Sequence, residues 1–199
     1  MTAAQMSIEQ KYAAYERLLR EWNERMNLVA ASTLADARRR HIDDSAQLAE
    51  YIPKDATAID LGSGAGFPAA VLAILGRQVV AIESTGKKCR FLETLKKELG
   101  LPNLTVINDR VEAALPKLLG GAGEASAALR QDRIIFTARA FAPLKKILEM
   151  TAKYRLPYAL LKGETVQDEI ALIPGKYGFE AKLYPSRTGA GSIVILTLK

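Results

Sequence analysis

Residues 58–74 read AIDLGSGAGFPAAVLAI: an apolar run, glycines at Gly62, Gly64 and Gly66, then a second apolar run. Glycines in that number cost conformational entropy on folding, so the main chain there needs an unusual shape or a close approach. The flanking runs fit a buried strand followed by a helix, and a helix start offers amides with no partner inside the helix. Twenty-one positions after Gly62, a second strand-like run ends in Glu83. A carboxylate at that point of an α/β sheet accepts the two hydroxyls of a ribose, so loop and acid together predict a nucleoside-containing ligand. The plainer alternative is a tight strand-to-helix turn with a capping acid.

The spacing narrows the ligand. The dinucleotide fingerprint G-x-G-x-x-G places glycine where Phe67 stands, and no G-x-x-x-x-G-K-[ST] element is present to grip phosphates. G-x-G-x-G after an acidic strand end is the pattern of S-adenosylmethionine-dependent methyltransferases, whose cofactor carries no pyrophosphate. On that reading Asp60 orders the loop or holds the methionine ammonium, directly or through water. Phe67 covers the sulfonium end or packs in the core. Two other classes compete: a nucleotide-dependent oxidoreductase, which needs the third glycine at position 67, and a non-catalytic RNA-binding or ribosome-assembly protein that retains the cofactor site.

The elements that must position these residues follow from periodicity. Residues 7–26 read as a helix with Ile8, Tyr12, Tyr15, Leu18, Leu19 and Trp22 at helical spacing and Ser7 as its cap. After a break at MNLVAAST, the helical pattern resumes over 33–52. From residue 57 strands and helices alternate: strands over 57–61, 78–83, 104–108, 132–139 and 157–163, helices over 68–76, 85–100, 110–119, 142–154 and 165–175, and a loop over 120–131. Two last strands, 179–185 and 191–199, have no helix between them. Alternation predicts parallel strands with helices on both faces. The expected fold is therefore α/β, and on the methyltransferase reading of the glycine loop it is a Rossmann-like class I methyltransferase sheet of seven mostly parallel strands with a terminal antiparallel hairpin. An N-terminal helical segment (1–53) packs on the core, and 54–199 forms a single structural unit.

Composition sets outer limits. The 199 residues are 49% hydrophobic and 25% charged, which suits a globular chain with a real core. One cysteine, Cys89, excludes an internal disulfide and a cysteine cluster, and one histidine, His41, argues against zinc. No metal site is expected. No apolar run approaches the ~18 residues of a membrane span, and the N-terminus lacks a signal architecture. A cytoplasmic protein with no membrane partner is expected. The net charge of +6 gathers in clusters: Arg38–Arg40, Lys87–Lys88 with Arg90, Lys96–Lys97 and Lys145–Lys146. Singly, each reads as a solvated helix face; together they point to nucleic acid.

Seven stretches then occur in a telling order: WNERMNLVA, RHIDDS, DLGSGAGFP, ESTGKKCRFL, RVEA, ARAFAPL and LLKG. In types and spacing they resemble the bacterial 16S ribosomal RNA guanine-N7 methyltransferases, once called glucose-inhibited division protein B, from about Trp22 to the last strand. The chain departs from that family's usual pattern at Val29 (threonine), Glu83 (aspartate) and Ala69–Ala70 (Gly-Ile), none of which removes a group the chemistry needs. The resemblance implies S-adenosylmethionine as cofactor. It implies a guanine N7 in 16S ribosomal RNA, or in a small-subunit assembly intermediate, as substrate. A monomer is expected. Methylation at N7 uses a lone pair that is free at neutral pH, so no general base is required. The element [DN]-P-P-[YFW] that accompanies amine methylation is absent, and TARAFAP stands in its place.

Arg139, at the end of the fourth strand, is the expected catalytic residue. Its guanidinium fixes the base through O6, touches a phosphate or binds the cofactor carboxylate, and the matching arginine of the family is counted among cofactor-site residues. The cofactor set implied is Asp60, Gly62, Gly64, Gly66, Phe67, Glu83, Val111, Glu112 and Arg139. Val111 packs the adenine, and Glu112 is either a cofactor contact or a first-turn acid favoured by the helix dipole. Asn27, His41 and Lys162 are the candidates for RNA. For the first two, and for Asn23 and Asp44, the alternative is a motif that locks the helical lead-in against the glycine loop. For Lys162 it is a solvated lysine.

Overall fold

The computed structural model describes residues 5–120 and 133–199, so the loop read over 120–131 lies, Gly120 apart, outside the described residues. Helix α1 spans Ile8–Asn23 and starts on a reciprocal cap: Gln10 N–H donates to Ser7 Oγ at 3.2 Å, and Ser7 N–H donates to Gln10 Oε1 at 2.8 Å. It buries Tyr12, Tyr15, Leu18 and Leu19 on one face. The helix stops short of residue 26 because Asn23 Oδ1 accepts the amides of Leu28 (2.9 Å) and Val29 (3.0 Å) and so turns the chain. The lead-in beyond it is not one regular helix. It is a chain of short turns: 3-10 over Ala31–Asp36, π over Arg38–Asp43, α2 over Asp44–Ala46, and 3-10 over Gln47–Glu50.

The sheet holds β1 (Thr57–Leu61), β2 (Gln78–Glu83), β3 (Leu104–Asn108), β4 (Ile134–Arg139), β5 (Tyr158–Lys162), β6 (Phe179–Pro185) and β7 (Ser192–Leu198) in the order β3-β2-β1-β4-β5-β7-β6. The first five strands are parallel; β7 pairs antiparallel with both β5 and β6. The crossovers are α3 (Ala69–Ile74), α4 (Gly86–Glu98), α5 (Val111–Leu119) and α6 (Leu144–Thr151), and α7 (Val166–Ala171) leads into the hairpin. The chain runs outward from β1 to β3 and returns to β4 beside β1. The order therefore reverses between β1 and β4, where open α/β sheets bind ligands.

Alternation along the strands sorts the core into two faces. Ile59, Leu61, Val80, Ile82, Phe136 and Leu160 point to the face covered by α5 and α6. Ala58, Val79, Ala81, Ile135 and Ala159 point to the other, against α1, α3 and α4. The alanines on that second face leave room for α3, whose six residues are all buried, as an apolar-all-round helix requires. Tyr15, Leu19, Ile42 and Leu48 close the same layer from the lead-in. Each such side chain contributes about 1.5–3 kcal/mol by leaving water. Among the described residues, no helix is long and apolar enough to cross a membrane.

Candidate active site

A cavity of about 1170 Å³ opens at the carboxyl ends of the parallel strands. One half is walled by Gly62–Ala65, Ile82–Thr85 and Asp109–Glu112; the other by Arg139–Ala142, Leu161–Gly163 and the β6–β7 connection, with the lead-in across the top.

The three glycines of the loop all have positive φ, +69°, +54° and +90°, but each is bare for its own reason. A Cβ on Gly62 would lie 2.2 Å from the Phe141 ring, and one on Gly66 would lie 2.7 Å from the Tyr15 hydroxyl. Gly64 alone faces open cavity: a Cβ there would meet nothing nearer than the Gly62 carbonyl at 3.8 Å. The Gly64 amide donates to Glu83 Oε2 at 2.9 Å, and the Thr85 amide donates to Oε1 at 2.7 Å. Glu83 is thus fixed at the end of β2, and each of its oxygens keeps a second lone pair for a ligand. Behind the loop, the Tyr15 hydroxyl donates to the Ala65 carbonyl at 2.6 Å. Gly66 therefore serves packing against α1 and does not line the cavity.

Asp60 is likewise below the site. It is fully buried, accepts from Thr137 Oγ1 at 3.2 Å, and Oδ2 has no partner among the described residues. Burial pushes its carboxyl up to about 7 against the hydrogen bonds from Ser63 and Thr137. Its place favours ordering of the loop over direct contact with a ligand.

Arg139 ends β4 in a brace. Its Nε donates to Asp44 Oδ2 at 3.0 Å, and its Nη2 donates to the Arg40 carbonyl at 2.7 Å. The other oxygen of Asp44 accepts from Thr188 Oγ1 (2.7 Å), Ser186 Oγ (3.0 Å) and Gln47 Nε2 (3.3 Å). One carboxylate thus ties the lead-in to the end of β4 and to the β6–β7 connection. The motif RHIDDS ties the lead-in to Arg139 and the last hairpin, whereas the sequence reading places the glycine loop as its counterpart. The next residue, Ala140, is held at φ +51°, a left-handed shape that a non-glycine adopts at a cost. That kink lays Phe141 over Gly62 between the two halves of the cavity.

His41 lines the cavity while only 6% exposed. Thr33 Oγ1 donates its proton to the Ala30 carbonyl at 2.7 Å, so its 2.8 Å contact with His41 Nε2 requires an Nε2–H donor. Nδ1 is then an unprotonated acceptor with no partner among the described residues. Burial, then the nearby Arg139 and Arg40, push the imidazole down to about 4. Phe67 is stacked between Tyr15 (5.0 Å) and His41 (5.1 Å), with Arg139 over its ring at 5.9 Å, and is mostly core.

Val111 and Glu112 begin α5 on the cavity wall, where first-turn amides lack helical partners. Lys162 is neither solvated nor free: its Nζ donates to the Ala142 carbonyl at 2.9 Å and pairs with Glu169 at 2.7 Å, and Glu169 in turn accepts the first amide of α6. Asn27 is exposed and lies outside the cavity wall. Sequence reasoning passed over Phe141, Ser186, Thr188 and the hydroxyl of Tyr15. Only the TARAFAP motif and the helical spacing of Tyr15 carried any signal for them.

A family model described as rRNA small subunit methyltransferase G matches residues 8–185. A protein named ribosomal RNA small subunit methyltransferase G from Dinoroseobacter shibae is 41% identical over 191 residues, 91% of this chain and 90% of its own length. The protein of that name from Gluconobacter oxydans is 36% identical over 199 residues, 98% and 95% of the two chains. Among solved structures, a SAM-dependent methyltransferase from Aquifex aeolicus has a similar fold, with TM-score 0.54 and 16% identity over 80% of this chain and 91% of that one. So has an rRNA methylase from Streptococcus thermophilus, with TM-score 0.50 and 19% identity over 76% and 92%. With its glycine loop, Glu83 and braced Arg139 set at the sheet's reversal point, and with these matches along most of its length, the chain belongs to the rRNA small subunit methyltransferase G family.

Proposed function

We propose that this protein transfers a methyl group from S-adenosylmethionine to N7 of a guanine in 16S ribosomal RNA. The observation that carries the proposal is the pairing of a fixed, cavity-facing Glu83 with an open Gly64 on one side of the reversal point and Arg139 on the other. The residues fit the cofactor. Glu83 would hold the ribose hydroxyls with its spare lone pairs, Val111 and the first amides of α5 the adenine, and the bare backbone at Gly62 and Gly64 the amino-acid portion. When bound, S-adenosylmethionine supplies an electrophilic methyl on a sulfonium.

The chain's remaining work is aim. Asp44 and the Arg40 carbonyl take Nε and one proton of Nη2, which leaves Nη1 and the other Nη2 proton as a fork toward guanine O6. Asp60 is sealed beneath the loop, and burial together with Arg139 and Arg40 holds the His41 imidazole down at about 4, so its open Nδ1 is a weak base. A lone-pair nucleophile needs neither, and orientation alone is worth several kcal/mol of barrier. The test is incorporation of tritiated methyl into small subunits from a strain lacking this protein, followed by borohydride reduction and alkaline cleavage to map N7-methylguanine. Cleavage at one guanine is the expected result. Label without alkali-labile sites would overturn the N7 assignment, and no label would overturn the activity.

A further inference from the structure

Charge is unevenly divided around the cavity. In the half with the glycine loop, Lys88 and Arg110 face Glu83, Asp109 and Glu112. Across the mouth stand Arg39, Arg40 and Lys146, and among the described residues Asp36 is the one acid of that half not bound to a cation. Arg39 and Arg40 are exposed, and neither guanidinium is held by a described residue. Lys146 has only a loose 4.0 Å pairing with exposed Glu149.

Other basic side chains are spent on acids or stand away from the mouth. Arg38 is spent on Glu9 (2.6 Å) and Asp43 (2.7 Å). Lys96 and Lys97 lie in the last turn of the 13-residue helix α4, about 15 Å along its axis from its first residue. The far wall is also bare. A Cβ on Gly163 or Gly189 would meet nothing within 4 Å, and Gly191 packs its backbone against the Lys162 carbonyl, where a Cβ would lie at 2.6 Å. A main chain without side chains lets a bulky ligand backbone approach.

Resting on the function proposed above, we infer that Arg39, Arg40 and Lys146 form the track for the phosphodiester backbone of a single-stranded RNA segment, whose target nucleotide enters between them beside Arg139. A base stacked within a duplex cannot reach a site set behind such a rim, so the strand must be open or the nucleotide extruded. Arg39 and Lys146 flank the mouth from the lead-in and from α6, so phosphates on either side of the target have a cation each.

The test uses the full chain and a single-stranded fragment of 16S ribosomal RNA. Binding is followed against salt concentration, methyl transfer by its KM for RNA, and cofactor binding by calorimetry. For Arg39→Gln with Lys146→Gln, the slope of log K against log salt is expected to fall by about 1.4, roughly 0.7 for each lost phosphate contact. The RNA KM should rise while cofactor heat and melting temperature stay at the wild-type values. Arg39→Lys with Lys146→Arg, which keeps the charge, should restore the slope. Lys96→Gln with Lys97→Gln should leave it alone.

An unchanged slope and KM in the first variant, with normal methylation by the wild type, would overturn the track and leave the proposed function standing. So would transfer of the loss to the Lys96–Lys97 variant, or binding of the rim to anionic vesicles with RNA affinity untouched. A wild-type chain that binds cofactor but neither binds nor methylates RNA, in the fragment or in small subunits, would overturn both.

Discussion

Arg139 Nε and Asp44 Oδ2 lie 3.0 Å apart, joined across ninety-five positions of sequence with both side chains largely shielded, 21% and 17% exposed. A carboxylate with four donors and a guanidinium with two acceptors hold each other in one orientation. Asp44→Asn keeps the shape but loses the charge, and Arg139→Lys cannot reach Asp44 and the Arg40 carbonyl at once. Each is expected to lower kcat about 100-fold, the scale of a small misplacement at a reacting centre. Asp44→Asn should leave cofactor affinity near wild type, which steady-state kinetics and calorimetry on the same preparation will check. Arg139→Ala should also lower the urea midpoint, because it unfastens the lead-in.

Tyr15→Phe removes one hydroxyl and strands the buried Ala65 carbonyl. The expected cost is about 1–3 kcal/mol of stability. Because Ala65 stands between Gly64 and Gly66, cofactor affinity should fall as well, although Tyr15 does not line the cavity. Chemical denaturation and a cofactor titration measure the two effects.

Two glycine substitutions separate backbone strain from crowding. Gly76 has φ +80° and open space where a methyl would stand, so Gly76→Ala should cost only the left-handed penalty, about 1–2 kcal/mol. Gly62→Ala carries the same penalty and drives the methyl into the Phe141 ring. It should be the less stable of the two by thermal melting, and it alone should lose methyl transfer.

Asp60 gives a pH signature. Its folded carboxyl titrates near 7 because burial disfavours the charge, whereas the unfolded group titrates near its ordinary 3.8. Between those values the folded state holds the extra proton, so Asp60's contribution weakens as pH rises from about 4 to about 7, by up to about 1.4 kcal/mol per pH unit. His41 acts oppositely: its folded imidazole titrates near 4 and its unfolded one near 6.5, so its contribution is lost as pH falls through that interval. The stability advantage of Asp60→Asn over wild type should therefore grow from pH 4 to pH 7 and then level off. A flat difference in urea titrations across that range would contradict the assignment.

The order of strands and helices was legible because alternation of apolar residues is a local property, and so was the place of Glu83, the first acid after the apolar run of β2. The glycines were only half legible. A glycine reports that something comes close, and the sequence does not say what: at Gly66 it is Tyr15, at Gly62 Phe141. The lead-in reads as a resumed helix, yet its turns tighten and widen to bring the Arg40 carbonyl and Asp44 onto Arg139, a tertiary demand that local spacing does not encode. Lys162 looks like a free cation at a strand end; its acid, Glu169, comes from α7 and is invisible to a local reading. Ala140 carries no mark of its left-handed shape.

The clasp of Asp44 on Ser186 and Thr188 bears on how the protein is made. Its first fifty residues leave the ribosome long before the segment they must grip, and Glu50 also waits there for Arg187. Until that final hairpin emerges, Asp44 lacks both hydroxyls, and a nascent chain has its nucleotide cradle but no firm hold on Arg139. The grip on Asp44 is thus completed only once the β6–β7 connection has been made.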